Sequence, residues 1–240
     1  MYKNLAPLYS LFFPLPPGRV EWLRNLCPTS QSWLDVGCST AQLVEKLNNL
    51  EITSIGCDLD SNSLILAKHR VPTAHLVCSH LSALGFSPKF KFDTISCLGN
   101  TLAHLESIEA IDLAFSQIAS LLSTGGIFIL QIVNFNHPEI NLKKFPLLEK
   151  VPFSFERKYE WKEEKLYFLT RLVQTTSGER TILQESVKIL YPLKVQELET
   201  LFAKNQFRLV NRYSRFGSYQ ENPQEWHLYG DASVFIGIKI

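Results

Sequence analysis

Short runs of apolar residues alternate with amphipathic segments from about residue 30 to residue 135. Because the runs are short and nearly all apolar, they are typical of strands that helices cover on both faces. Strands that alternate with helices at this spacing predict a parallel sheet connected by right-handed crossovers. The predicted strands are Ser32–Val36, Ile52–Cys57, Ala74–Cys78, Phe92–Cys97 and Ile127–Val133.

Helices are predicted between these strands, and one more precedes the first strand. The preceding helix has apolar residues at helical spacing and follows two prolines, which is a common start signal. The predicted helices are Gly18–Cys27, the segment from the turn at Gly37 to about Asn48, Ser61–His69 and Ile108–Leu122.

The pattern changes after Asn136, where three segments have the character of antiparallel strands separated by turn residues. A helix and two strands follow, so the α/β pattern resumes. We therefore interpret residues 150–191 as an insert that lies across one edge or the mouth of the sheet. The predicted elements are strands Phe153–Tyr159, Lys165–Thr175 and Thr181–Leu190, helix Val195–Lys204, and strands Phe207–Tyr213 and Ala232–Ile240.

Composition and charge exclude several classes of partner. The 240 residues are 45% apolar and 20% charged with a net charge of +1, as in ordinary globular proteins. No strong field attracts nucleic acid or an acidic membrane, and no apolar stretch is long enough to cross a bilayer. The apolar segment Leu5–Leu15 contains prolines and lacks the features of a signal peptide. We expect it to be an arm that packs over another part of the protein, and it could serve a neighbouring subunit in a homodimer.

The cysteines argue against a metal or redox motif. Their number is odd and none has CxxC spacing, so no metal is predicted. Most lie within or beside apolar runs, and we interpret them as reduced thiols of a cytoplasmic protein. They are Cys27, Cys38, Cys57, Cys78 and Cys97.

The segment Trp33–Ala41 joins the first strand to a helix. Gly37 permits a tight turn, and the following helix directs free N–H groups and its positive dipole end at a ligand. Asp35 ends the strand beside this turn, where it could attract a cation. Its alternative role is to cap the turn.

An acidic residue ends the second strand. Asp58 lies 21 positions after Gly37, near the offset at which such folds bind ribose hydroxyls. Asp58 could instead cap the next helix, and Asp60 is a weaker candidate for the ribose. A nicotinamide dinucleotide site would need glycines where Ser39 and Gln42 stand, which disfavours a pyrophosphate.

The segment Phe92–Leu105 contains a Gly99-Asn100 turn at the carboxyl edge of the sheet, where open α/β folds bind ligands. Together with Trp33–Ala41, Ile55–Asp58 and Leu122–Gly126, it resembles the motifs of the class I, seven-stranded S-adenosylmethionine-dependent methyltransferases. The stretch Leu98–Leu105 is most similar to that of glycine N-methyltransferase and related small-molecule enzymes.

The resemblance implies the fold. It is an α/β, Rossmann-like, doubly wound seven-stranded mixed sheet with helices on both faces and an antiparallel insert after the fifth strand. We predict one methyltransferase domain over residues 1–240. Its parts are an arm and helix (1–28), a cofactor-binding core (30–136), a lid insert (150–191) and a closing helix and strands (194–240).

The resemblance also implies a cofactor site for S-adenosyl-L-methionine. The methionine portion would be held by the first turn, the ribose by Asp58, the adenine by Leu59 and the loop after the third strand, and the methyl group by the Gly-Asn turn. Ser39 and Ala41 replace family glycines, and the adenine loop lacks a frequent Asp. The implied cofactor-binding residues are Asp35, Gly37, Cys38, Ser39, Asp58, Leu59, Ser79, His80, Leu81, Cys97, Leu98 and Asn100.

The expected reaction is direct methyl transfer to an N or O atom of a small molecule. The protein would mainly align and desolvate the reactants. Asn100 and His104 are the candidate catalytic residues, although Asn100 could be only a left-handed turn residue and His104 a solvent-facing one. A binding protein without turnover and a nicotinamide-dependent oxidoreductase are the alternatives. The candidate substrate-binding residues are Tyr9, Arg19, Tyr159, Trp161, Arg171, Trp226 and His227.

Overall fold

The computed structural model describes residues 5–135, 145–213 and 232–240. Two sheets and six α-helices make up these residues. The strands are β1 (Ser32–Val36), β2 (Thr53–Asp58), β3 (His75–Cys78), β4 (Phe92–Cys97), β5 (Leu122–Val133), β6 (Leu148–Lys150), β7 (Phe153–Lys162), β8 (Lys165–Thr176), β9 (Glu179–Leu190), β10 (Phe207–Tyr213) and β11 (Ala232–Lys239). The helices are α1 (Tyr9–Phe12), α2 (Arg19–Leu26), α3 (Gln42–Asn48), α4 (Ser61–Arg70), α5 (Ile108–Leu121) and α6 (Val195–Lys204).

The main sheet has seven strands in the order β10-β11-β5-β4-β1-β2-β3. Strands β1 to β5 pair with one another in parallel, whereas β11 is antiparallel to both β5 and β10. The order reverses at β1, which places a crevice at the carboxyl ends of β1 and β4. The predicted seven-stranded mixed sheet with an antiparallel insert after the fifth strand is confirmed.

The start of β5 differs from the prediction. We expected residues 123–126 to end the preceding helix, but the strand begins at Leu122. Gly125 has a φ of +78°, and the pairing register with β4 shifts between Phe92 and Thr94. Gly125 therefore lies in an irregular first part of the strand, because a glycine backbone can take conformations that other residues avoid.

Aromatic side chains fill the core between the main sheet and the helices α5 and α6. Phe115 of α5 meets Phe128 of β5 edge-to-face at 5.5 Å, and it meets Phe202 of α6 at 5.2 Å. All three are fully or almost fully buried. This packing holds the closing helix α6 on the sheet.

The insert forms a second sheet in the order β6-β7-β8-β9. Three of its strands were predicted, whereas β6 was missed because it has only three residues. The backbone N–H of Tyr191 donates to Ala103 O at 2.9 Å, and the Phe168 ring contacts the His104 ring. The insert therefore packs on the turn that follows β4, at the carboxyl edge of the main sheet.

The N-terminal arm packs on its own chain. Phe12 of α1 lies against Phe155 of β7, with 5.7 Å between ring centroids, and Leu5 belongs to the same apolar cluster. On its other side, the Gln42 side chain donates to Phe13 O at 3.0 Å and accepts from Leu15 N at 3.0 Å. The arm thus joins the insert to the start of α3.

Three negative findings apply to the part of the chain that the structure describes. No helix is long and apolar enough to span a membrane. No group of His, Cys, Asp and Glu side chains is arranged to bind a metal ion. The five cysteines are free thiols, and only Cys78 is exposed.

Candidate active site

Two adjoining cavities open at the carboxyl edge of the main sheet. The first has a volume of about 330 Å³ and extends over the ends of β2 and β3, and the second, of about 550 Å³, extends toward the arm and the insert. Because several residues line both, the cavities form one continuous site. The shared residues are Tyr9, Gly37, Ser39, Gly99, Thr101 and His104.

The turn after β1 forms the floor where the cavities meet. Gly37 has a φ of +77°, and a Cβ at this position would lie 2.4 Å from Thr101 Oγ1. Ser39 and Ala41 also have positive φ angles, of 48° and 56°. The backbone therefore adopts the turn expected of a glycine-rich motif, at the cost of left-handed strain at two other residues.

Asp35 lies at the base of the second cavity and is only 5% exposed. The Trp33 Nε1–H donates to Ser96 Oγ at 2.8 Å, and the Ser96 hydroxyl donates to Asp35 Oδ1 at 2.7 Å. Because an indole N–H can only donate, the Ser96 proton must point at Asp35. Burial raises the pKa of Asp35 to about 7, against the lowering effect of Ser96 and with a further rise from Asp58.

The Asp58 side chain connects the turn after β1 to the turn after β2. Its Oδ2 accepts from the Ser39 N–H at 2.8 Å, and its Oδ1 accepts from the Asp60 N–H at 2.8 Å. Burial raises the pKa of Asp58, although these backbone hydrogen bonds lower it. The cap of α4 is Asp60, whose Oδ2 accepts from the Ser63 N–H at 3.1 Å. Asp58 is therefore not the helix cap that the sequence left open.

These two carboxylates give the site its electrostatic character. Within the described residues, neither Asp35 nor Asp58 has a basic side chain at ion-pair distance. Burial raises the pKa of both carboxyl groups, and the charge of Asp58 raises that of Asp35 further. Buried carboxylates without a counter-ion favour a cationic ligand. The residues therefore fit the ammonium and sulfonium groups of S-adenosylmethionine, whereas a pyrophosphate beside Asp35 would be repelled.

The loop after β3 lines the first cavity together with the end of β2. Ser79, His80 and Leu81 are all lining residues, as the sequence predicted for an adenine site. The Ser79 N–H donates to Asp58 O at 3.1 Å, which holds this loop beside the ribose candidate. Leu59 also lines the cavity and is 64% exposed, so its side chain is available to pack on a planar ring.

The turn after β4 contributes the candidate catalytic residues. Asn100 has a φ of 67°, and its Oδ1 accepts from the Val133 N–H at 3.0 Å, so part of its role is to hold this left-handed turn on β5. It lines the second cavity with Leu98. His104 is partly buried and lines both cavities, so it faces the site and not the outer surface. Burial and then Lys188 lower the pKa of His104 to about 4, which leaves the imidazole neutral near pH 7.

Some of the candidate substrate residues line the second cavity, some line neither cavity, and two lie outside the described residues. Tyr9, Arg19 and Tyr159 line the second cavity, and Cys38 of the cofactor set lines it as well. Burial lowers the pKa of Arg19 to about 10. Trp226 and His227 lie outside the described residues.

Three predicted site residues line neither cavity. Cys97 is fully buried in the main core, because its position at the end of β4 directs it into the sheet packing. Arg171 projects from the outer face of the insert, where its Nε donates to Glu185 Oε1 at 2.6 Å. Trp161 lies at the far end of β7 and is 38% exposed. We therefore assign none of them a ligand contact.

Several lining residues of the second cavity were missed by the sequence analysis. The charged run that starts at Arg157 is typical of a solvated strand, but strand alternation turns every second residue of β7 inward. The spacing of Phe155, Arg157 and Tyr159 was the available signal. The missed lining residues include Phe145, Phe155, Arg157, Phe168 and Thr170.

Comparisons with known proteins agree with this geometry. A protein-family model described as a methyltransferase domain matches residues 34–126. A dTDP-3-amino-3,6-dideoxy-alpha-D-glucopyranose N,N-dimethyltransferase from Streptomyces fradiae is 27% identical over 109 residues, which are 45% of this chain and 42% of that protein. The match thus spans less than half the length of this curated relative.

Solved structures match over nearly the whole chain. An S-adenosylmethionine-dependent methyltransferase from Clostridium acetobutylicum has a TM-score of 0.81 at 14% identity, covering 99% of this chain and 98% of that one. An amino pentose methyltransferase from Micromonospora echinaspora with bound S-adenosylmethionine has a TM-score of 0.71 at 19% identity, covering 100% and 92%. Residues 34–126 are therefore similar to a methyltransferase domain, and the fold of the chain is similar to that of these solved S-adenosylmethionine-dependent methyltransferases.

Proposed function

We propose that this protein transfers a methyl group from S-adenosylmethionine to an amine nitrogen of a small molecule. The observation that carries the proposal is the pair of buried carboxylates, Asp35 and Asp58, that face one continuous site without a basic partner among the described residues. The cofactor would supply a methyl group that is already activated on a sulfonium. Asp35 would hold its ammonium group, and Asp58 its ribose hydroxyls.

The second cavity suits the acceptor. It is enclosed by aromatic side chains of the arm and the insert, among them Phe13 and Phe168. An amine that enters such a site loses water, which favours its neutral, nucleophilic form. The neutral His104 can accept a hydrogen bond from that amine, and the chain's other task is alignment.

An amino sugar is the first acceptor class to test. The relative from Streptomyces fradiae is named as an N,N-dimethyltransferase of an amino sugar, and the Micromonospora echinaspora structure is that of an amino pentose methyltransferase. The test is production of S-adenosylhomocysteine with a panel of amino sugars, amino acids and simple amines. Turnover with any amine supports the proposal, whereas cofactor binding without turnover on the panel would favour the alternative of a binding protein.

Asp58 and Asp60 form a matched pair for testing the cofactor site. We expect Asp58→Ala to weaken S-adenosylmethionine binding by about 1–3 kcal/mol, because the ligand hydroxyls lose their acceptor. Asp60→Ala removes the cap of α4 and should cost about 1 kcal/mol of folding stability with little effect on affinity. Calorimetry and urea denaturation of both variants measure the two effects. Equal losses of affinity would contradict the assignment of Asp58.

His104 is expected to act as a neutral group. We expect His104→Ala to lower kcat/KM for the acceptor by about 100-fold, the lower end of what a proton-accepting residue contributes. The cofactor Kd should change little. Since the pKa of His104 is lowered to about 4, its neutral form persists above pH 5 and is lost only as the pH falls through about 4. A limb near pH 6.5 in the wild-type kcat/KM profile that disappears in His104→Ala would contradict this role.

Two further proposals concern the setting of the protein. The five free thiols support a cytoplasmic location, where cysteines stay reduced. We also retain the homodimer as a proposal, and sedimentation analysis would test it.

A further inference from the structure

Arg157 occupies the inward face of the insert. Along β7, Phe155, Arg157 and Tyr159 all line the second cavity, and Arg157 pairs across to Thr170 of β8, which lines it too. The alternate residues of β7, such as Glu156, lie on the opposite face. A charged side chain is therefore placed in a largely aromatic part of the site.

Two aromatic rings and one carbonyl hold the guanidinium group. Its Cζ lies 4.9 Å from the ring centroid of Phe145 and 5.3 Å from that of Phe13. An Nη2–H donates to Pro146 O at 3.4 Å. The Nε atom is buried, and among the described residues it has no hydrogen-bond partner. A donor that is removed from water and left unpaired in a ligand cavity points to a ligand acceptor.

The charge of Arg157 is also unbalanced. On the outer face of the insert, Arg171 and Arg180 both pair with Glu156, but no carboxylate of the described chain lies at ion-pair distance from Arg157. Burial lowers the pKa of Arg157, yet a guanidinium group stays protonated at physiological pH. A half-buried cation whose Nε is shielded from water and that has no counter-ion is costly, and an anionic ligand would lower that cost.

We propose that Arg157 binds an oxyanion, a carboxylate or a phosphate, that is carried by the methyl acceptor. The inference rests on the proposed function and narrows its substrate class to amines that also bear a negative group. A guanidinium group matches such oxyanions because it presents two parallel N–H donors. The charges of the site would then be opposite to those of both ligands. Asp35 and Asp58 would face the cationic cofactor, and Arg157 would face the anionic group of the acceptor.

A purely structural role makes a different prediction. Because Arg157 stacks between Phe13 of the arm and Phe145, it could serve only to fasten the arm to the insert. In that case Arg157→Gln would lower Tm and S-adenosylhomocysteine affinity, and oxyanion binding would not depend on this residue. Arg157→Lys serves as the second variant, because it keeps the positive charge and loses the two parallel N–H donors of the guanidinium group.

The test is calorimetric titration of the S-adenosylhomocysteine-saturated protein with inorganic phosphate and, separately, with acetate. We expect one of the two anions to bind the wild type. The same anion should bind Arg157→Gln at least tenfold more weakly and Arg157→Lys with intermediate affinity. The anion that binds more tightly identifies the group on the acceptor. Arg171→Gln, an exposed arginine of the same insert, is the control and should bind as the wild type does.

Two results would overturn the inference: no anion binding by the wild type, or equal binding by wild type and Arg157→Gln. The titrations are repeated on the protein without S-adenosylhomocysteine. If the cofactor product fails to bind but anion binding still depends on Arg157, the proposed function fails and the anion site stands. If the cofactor product binds and anion binding is independent of Arg157, the anion site alone fails.

Discussion

Asp35→Asn is expected to weaken S-adenosylmethionine binding by about 10–100-fold and, in the same protein, to stabilise the ligand-free fold at pH 8. The affinity falls because a hydrogen bond from the cofactor ammonium to a carboxylate becomes one to a neutral amide. The fold gains because the buried charge disappears, while Asn Oδ1 can still accept the hydrogen bond from Ser96. A site residue that opposes folding is a recurrent feature of functional sites.

The pH dependence follows from the raised pKa of Asp35. In the folded protein this pKa is about 7, whereas the ordinary value is 3.8. Between these values the folded state holds a proton that the unfolded chain releases, so ligand-free stability falls as the pH rises through this window. Above pH 7 the full penalty applies, and it is at most roughly 4 kcal/mol.

Urea denaturation at pH 4.5 and pH 8 measures this effect. We expect Asp35→Asn to exceed the wild type by only about 1 kcal/mol at pH 4.5 and by about 2–4 kcal/mol at pH 8. Calorimetry at pH 8 measures the loss of affinity in the same samples. A variant that is no more stable than the wild type at pH 8 would show that the buried charge of Asp35 does not destabilise the ligand-free fold.

Gly37→Ala is expected to lower the free energy of unfolding by about 2–4 kcal/mol, since it combines left-handed strain with a steric clash. The new methyl group would lie 2.4 Å from Thr101 Oγ1, and Thr101 in turn donates to Leu98 O. Relief of the clash therefore moves the turn after β4. Because Gly37 lines both cavities, we also expect weaker cofactor binding.

Gly85→Ala is the matched control for this prediction. Gly85 has a φ of +71°, but a Cβ there would meet nothing within 4 Å. It should lose only the cost of left-handed strain, about 1–2 kcal/mol. Urea denaturation compares the two variants. If Gly37→Ala costs no more than Gly85→Ala, the close approach of the two turns does not constrain the site.

The sequence was informative where local patterns decide the structure. The strands β1 and β4 were predicted with their observed bounds, because apolar runs between turn residues have few other interpretations. The places of Gly37 and Asp58 followed from their spacing along one βαβ unit. Both depend on residues that are close in the chain.

The acceptor end of the site could not be predicted in the same way. Arg157 and Phe13 meet only because the insert folds back over the arm, a contact between segments far apart in sequence. The sequence left His104 open between a catalytic and a solvent-facing role, because its cover depends on Phe168 of β8. Hydrophobic patterning places a residue on a face of its own element, but it does not say which distant element covers that face.

The most direct test of the central claim is calorimetric titration of the wild-type protein with S-adenosylmethionine, S-adenosylhomocysteine and NAD⁺. We predict micromolar binding of the first two and no binding of NAD⁺, because Asp35 beside the first turn accepts a cation and repels a pyrophosphate. Absence of binding by S-adenosylmethionine and S-adenosylhomocysteine, or tighter binding of NAD⁺, would contradict the account.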